Sequence, residues 1–67
     1  MTLEQIKRLT DKNITVNWKN SNYVVKKDLN QYNVVSISNN NIVGLTYKSN
    51  DKKCTHNLED FYVPLPF

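Results

Sequence analysis

Tyr32-Asn33-Val34-Val35-Ser36-Ile37-Ser38, then Asn39-Asn40-Asn41, then Ile42-Val43-Gly44-Leu45-Thr46-Tyr47: two runs rich in β-branched and aromatic residues flank a short connection made of Asn alone. That combination signals a β-hairpin. Asn tolerates positive φ better than any residue but Gly, so the three Asn can supply the left-handed positions of a tight turn. Gly44 interrupts the second run. A Gly inside a strand marks a bulge, a sharp bend or the close approach of another segment, and small barrels need such bends to close.

Working outward toward the N-terminus, Asp28-Leu29-Asn30-Gln31 reads as a turn with Asp placed for type I geometry. Tyr23 to Lys27 reads as a strand, and Lys19-Asn20-Ser21-Asn22 as the turn before it. Ile14, Val16 and Trp18 alternate with Thr15, Asn17 and Lys19, the pattern of a half-buried strand. Thr2-Leu3-Glu4-Gln5 fits a capping box, and Leu3, Ile6 and Leu9 recur at helical spacing, so a short helix opens the chain and ends near Thr10 to Asn13. In the other direction, Ser49 to Lys52 reads as a turn and Lys53 to His56 as a short strand. Asn57-Leu58-Glu59-Asp60-Phe61 has an Asn cap and first-turn acids, which suit one helical turn. Tyr62-Val63 can pair once more before Pro64 stops the ladder.

The expected fold is therefore mainly β with a short N-terminal helix: a small antiparallel barrel of the Src-homology-3-like kind, with five to six short strands in a meander. A curved open sheet with the helix across one face is the alternative. The chain of 67 residues makes one domain. Residues 1–12 form the helix and turn, 13–63 the barrel, and 64–67 a Pro-containing apolar tail.

Composition narrows the function. A domain this small has a marginal core and draws extra stability from disulfides, metals or self-association. Cys54 is the single Cys, which excludes an internal disulfide. One Cys and one His do not make a four-ligand structural zinc site. No cofactor is expected. No apolar run reaches the length of a membrane span and no signal peptide opens the chain, so a soluble protein of a reducing compartment is expected. The net charge of +3 is modest. The abundant Lys and Asn also fit an AT-rich genome, so charge alone is a poor argument for nucleic acid.

Trp18-x-Asn20-x-x-Tyr23-x-Val25, Gly44-Leu45-Thr46-Tyr47 and Glu59-Asp60-Phe61-Tyr62 together resemble a pattern found in small bacteriophage-encoded β-barrel proteins. The resemblance runs over nearly the whole chain and its motifs are core and turn positions. It implies a phage accessory protein in the cytoplasm of the infected host cell, and it carries over no active site.

Three constellations could carry function. Cys54 and His56 would share a strand face, as a nucleophile pair or partial metal site, but no third group in the sequence orients the His. Glu59 and Asp60 are adjacent acids that point in different directions and serve the helical turn better than acid–base chemistry. No phosphate loop or nucleophile elbow is present, so a non-enzyme is expected. Trp18, Tyr23, Tyr32, Tyr47, Phe61 and Tyr62 follow the alternation that a core requires, which favours core filling. The competing use is a platform of aromatics among Lys, with Lys19, Tyr23, Lys26, Lys27, Tyr32, Tyr47 and Lys48 as the candidate binding surface.

The leading functional expectation is a non-enzymatic binding protein that blocks or modulates a host bacterial protein, one of defence or of housekeeping. A nucleic-acid-binding barrel and an oligomer that sequesters a small nucleotide are the alternatives. Leu65 and Phe67, apolar residues in the tail, are the candidates for self-association into a homodimer.

Overall fold

A computed structural model describes residues 1–64; the tail residues Leu65 and Phe67 lie outside the described residues. Helix α1 spans Leu3–Asp11. Its capping box is complete: the Gln5 N–H donates to the Thr2 hydroxyl at 3.1 Å, and the Thr2 N–H donates to Gln5 Oε1 at 2.9 Å. At the other end Asn13 turns left-handed, with φ 61°. The Asn13 N–H then reaches the Thr10 carbonyl at 3.0 Å, and the Ile14 N–H reaches that of Leu9 at 2.9 Å. This is a Schellman stop with Asn in the place usually held by Gly. The inward stripe matches the sequence: Ile6 is fully buried, and Leu3 and Leu9 pack against the core.

Strands β1 (Asn17–Trp18), β2 (Asn20–Asp28), β3 (Gln31–Ser36) and β4 (Ile42–Gly44) follow. The four-residue turn expected after Lys19 is absent. Lys19 alone takes φ 63° and reverses the chain, so β2 starts at Asn20 and β1 is only two residues long. The ladder slips between Asn17 and Trp18, and the buried Asn17 amide bridges the slip by donating to the Tyr23 carbonyl at 3.1 Å. At the β2–β3 turn, Leu29 and Asn30 both have positive φ, 48° and 66°. The turn is therefore type I′, whose twist matches the flanking strands, and the expected type I geometry is corrected.

The Asn-rich connection forms a hairpin, as expected, but β3 ends at Ser36. The Asn22 side chain takes over beyond it, accepting from the Ser38 N–H at 3.0 Å and donating to the Ser36 hydroxyl at 2.9 Å. Of the three consecutive Asn only Asn40 is left-handed; the Asn39 side chain instead accepts from the Asn41 N–H at 3.1 Å.

Beyond β4 the chain bends at Leu45, enters β5 (Thr46–Tyr47), turns at Lys48 and Ser49, and returns as β6 (Asn50–Cys54). Strand β6 thus begins three residues earlier than the expected Lys53 and stops before His56. A 3-10 turn (Leu58–Asp60), capped by the Asn57 side chain, leads into β7 (Phe61–Tyr62). Strand β7 crosses back to pair antiparallel with β1. The result is an antiparallel five-stranded sheet, in the order β4-β3-β2-β1-β7, and a two-stranded sheet, β5-β6. Among the described residues seven strands stand where five to six are expected, and the return of β7 breaks the meander. Among the described residues no ladder closes the sheets into a barrel.

Leu45 joins the sheets. It is fully buried; its N–H donates to the Tyr32 carbonyl of β3 at 2.9 Å, and its carbonyl accepts from the Thr55 N–H at 2.9 Å. The bend expected at Gly44 falls here instead. Gly44 is exposed, its φ is not positive, and a Cβ built on it would approach the Thr46 carbonyl oxygen at 3.4 Å. The core is Ile6, Val16, Val25, Val34, Leu45 and Phe61.

Two stability outcomes follow from these backbone features. Leu45→Ala should cost about 2–5 kcal/mol in denaturant melts, because it opens a cavity where the sheets meet. Leu29→Asn should raise stability by about 1 kcal/mol, because Leu29 is 90% exposed and left-handed, a backbone region that Asn tolerates.

Candidate functional site

The seven residues of the expected binding surface do not gather on one face. Lys26 sits on the opposite face of β2 from Lys27, as strand alternation requires. Lys19 and Tyr23 flank Trp18. Lys27 and Tyr32 meet α1. Tyr47 and Lys48 lie on the β5–β6 hairpin. Core filling by the aromatics is also only partly met: Phe61 is buried and Trp18, Tyr23 and Tyr32 pack half-buried against the core, whereas Tyr47 and Tyr62 are exposed at 45% and 37%.

Tyr32 anchors a polar cluster. Its hydroxyl donates to Asp11 Oδ1 at 2.8 Å, and Lys27 Nζ sits 3.4 Å from the same oxygen. Lys7 and Lys27 both place their ammonium groups about 5.5 and 5.3 Å from the ring centre. The Tyr32 hydrogen bond, with help from Lys27, lowers the Asp11 carboxyl below its ordinary range. The same contacts with Asp11 raise Lys27 and Tyr32. The cluster ties α1 to the β2–β3 hairpin.

Two grooves flank β4 on opposite faces. The first, about 500 Å³, runs over Gly44 and is lined by Gln31, Asn33 and Ile42 along the sheet, Lys7 and Tyr32 on one rim, and Thr46, Tyr47, Lys48 and Asp51 on the other. It brings together three members of the expected surface: Tyr32, Tyr47 and Lys48. A further cation, Lys53, stands 5.6 Å from the Tyr47 ring centre.

The second groove, about 260 Å³, is lined by Trp18, Tyr23, Val34, Ser36, Asn39, Asn41, Val43 and His56. Trp18 organises it. Its ring meets Tyr23 and His56 edge-on, at centroid distances of 5.0 and 4.4 Å, and Lys19 Nζ lies 4.9 Å over it. The indole N–H is buried and has no hydrogen-bond partner among the described residues. Sequence reasoning missed the pairing of Trp18 with His56, because nothing local joins them; β7 pairing on β1 brings the 55–60 segment over Trp18.

His56 is not a partner of Cys54. Cys54 ends β6 half-buried against the core. The Thr55 hydroxyl donates to the carbonyls of Gly44 at 2.7 Å and Leu45 at 3.2 Å, so it can only accept from His56 Nδ1, 2.8 Å away. With its single proton on a carbonyl, the hydroxyl accepts from Nδ1, a contact that a protonated Nδ1 of the imidazole supplies. Burial, and then the positive charge of Lys19, lower its pKa from 6.5. Glu59 and Asp60 belong to the 3-10 turn: the Glu59 N–H is capped by Asn57, and the Asp60 carbonyl accepts from the Lys19 N–H at 3.0 Å.

Among the described residues no group of three His, Cys, Asp or Glu could hold a metal ion, and no helix is long and apolar enough to cross a membrane. No known family model, curated protein or solved structure matches the chain.

The His56 environment sets a pH dependence. Because folding lowers its pKa, protonation favours the unfolded chain; the penalty is absent above its ordinary value of 6.5 and grows as pH falls below it. Melting temperature should therefore drop between about pH 7 and about pH 5, and His56→Gln should flatten that slope. Asp11, lowered from 3.8, acts at lower pH and loses its contribution only as pH falls through that region.

Proposed function

We propose that this chain is a non-enzymatic binding module, a phage accessory protein that captures an extended segment of a host bacterial protein on the free edge of β4. The observation that carries this reading is the edge itself. Strand β4 ends the five-stranded sheet, and its residues Ile42, Val43 and Gly44 are all exposed. Ile42 is 65% and Val43 50% accessible, and the strand has no charge, proline or bulge of the kind that protects natural edges. An uncharged apolar edge suits the addition of a partner strand, whose main chain supplies affinity while side-chain pockets supply specificity.

The ladder fixes which backbone groups are offered. The Ser36 N–H bonds the Asn41 carbonyl and the Leu45 N–H bonds the Tyr32 carbonyl, so alternation turns Val43 toward β3 and the N–H and carbonyl of Ile42 away from it. The Gly44 carbonyl, which also faces outward, is taken by Thr55. Next to this edge Val43 opens onto the Trp18 groove, where an unpartnered indole donor could be satisfied by a carbonyl of the partner.

The scaffold for this use is read as a Src-homology-3-like barrel. The bend at Leu45 and the 3-10 turn between the last two strands support that reading. The phage setting rests on the resemblance carried by Trp18, Asn20, Tyr23 and Gly44 to Tyr47, and it makes the host cytoplasm the place of action.

Two proline variants test the edge. Ile42→Pro removes an outward N–H and should leave the melting temperature within a few degrees, whereas Val43→Pro removes a ladder donor and should unfold the domain. In affinity capture from bacterial lysate, quantified by mass spectrometry, wild-type protein should enrich a host protein that Ile42→Pro loses. Equal enrichment by both would overturn the reading.

A further inference from the structure

We infer that the groove over Gly44 is a second binding site, for a ligand that combines a nucleobase with phosphate. The site lies on the face of β4 opposite the Trp18 groove, with which it shares no lining residue, and it has only Ile42 and Gly44 in common with the β4 edge.

Gly44 makes the groove. Its backbone does not require Gly, since its φ is not positive and a Cβ would meet a neighbour only at 3.4 Å. A side chain there would take up the floor of the groove, between Ile42 and Thr46, which both line it. A glycine without a conformational reason is thus explained by the space it leaves.

The walls supply three complementary chemistries. Tyr47 is 45% exposed, and Lys53 sits over its ring, leaving an anchored aromatic on which a base can stack. Gln31 and Asn33 project amides from β3 into the groove, and amides both donate to and accept from base edges. Lys7 and Lys48 both line the groove, with Asp51 the one acid among the lining residues. Lys27, beside Tyr32, is already paired with Asp11, so Lys7 and Lys48 supply the cations of the lining. The Tyr32 hydroxyl is held by Asp11, so this wall is fixed before a ligand arrives. The cations ask for an anion, the amides for a hydrogen-bonding heterocycle and the tyrosine for a planar ring. A purely acidic peptide satisfies only the first demand.

A single-stranded nucleic acid and a free nucleotide share this chemistry. Adenosine monophosphate and an oligothymidylate are therefore titrated separately into the full chain at low salt, with binding followed by backbone amide NMR shifts and calorimetry. Saturable binding of either, with shifts centred on Gly44, Thr46 and Tyr47, supports the site. Saturation by the mononucleotide identifies a nucleotide pocket, and binding of the oligonucleotide alone identifies a single-strand path. Tyr47→Ala should weaken binding about tenfold. For the oligonucleotide, log affinity should fall with log salt at a slope of about −2 to −3, as expected for three to four neutralised phosphates. Gly44→Val should abolish binding with the fold retained, and Tyr47→Ala, which lies outside β4, should leave protein capture through the β4 edge unchanged, which separates this site from that one. Should Gly44→Val lose the fold, Lys48→Glu serves in its place. No shift with either probe, or equal binding by wild type and the groove variants, would overturn the assignment.

Discussion

Both carbonyl and amide of Leu45 are committed to different sheets. Its N–H closes onto Tyr32 in β3, its carbonyl receives the Thr55 N–H at the end of β6, and its side chain fills the space between. The chain meets all three demands with a bend. The bend ends β4 and starts β5, so the same residue that connects the sheets leaves β4 with a short open edge. The Thr55 hydroxyl reinforces the junction from the other side by capping Gly44 and Leu45, and in doing so it orients His56 against Trp18. Both grooves are thus by-products of one junction. One has Gly44 for a floor; the other has His56 and Val43 for walls.

A second theme is the use of Asn where other chains use Gly. The chain has one Gly, and it is not left-handed. Left-handed turns are made instead by Asn13, Asn30 and Asn40, together with Lys19 and Leu29. Four further Asn side chains, at 20, 39, 50 and 57, accept from the N–H two residues on. Asn is less costly than other residues in these places because its short amide can mimic the backbone. Asn abundance therefore has structural work in this fold, whatever the codon usage behind it. Leu29 does not share that advantage, and its exposed, left-handed position has no structural reason in the isolated chain.

What was legible in the sequence was what is decided locally. The capping box of α1, the Ile6 stripe, the hairpin around Asn39 to Asn41 and the Asn57-capped turn each depend on residues close in the chain. The strand ends were not legible, because distant groups set them: the Asn22 side chain stops β3, and the Asp60 carbonyl holds the one-residue reversal at Lys19. The bend falls one residue past the expected position, because a Gly inside a strand run reads as the hinge while Leu45 carries no such signal. Leu45 is core and hinge together. The aromatics show the same limit. Alternation predicted burial for Tyr47 and Tyr62, yet both lie on two-residue strands near an edge, where alternation has no second sheet face to point into. Of the candidate surface, Tyr32, Tyr47 and Lys48 converge because the β5–β6 hairpin folds beside β3, a tertiary fact that spacing along the chain does not contain.

The central claim is that the Leu45 junction makes the two sheets one cooperative unit. Native-state amide hydrogen exchange tests it directly. The account predicts that the Leu45 and Thr55 amides exchange in the slowest class, together with Val25, whose N–H bonds the Val16 carbonyl at 2.9 Å inside the five-stranded sheet. Exchange of Leu45 and Thr55 at the rate of the exposed Lys48 and Ser49 turn, while Val25 stays protected, would mean that the β5–β6 hairpin opens alone, and would contradict the account.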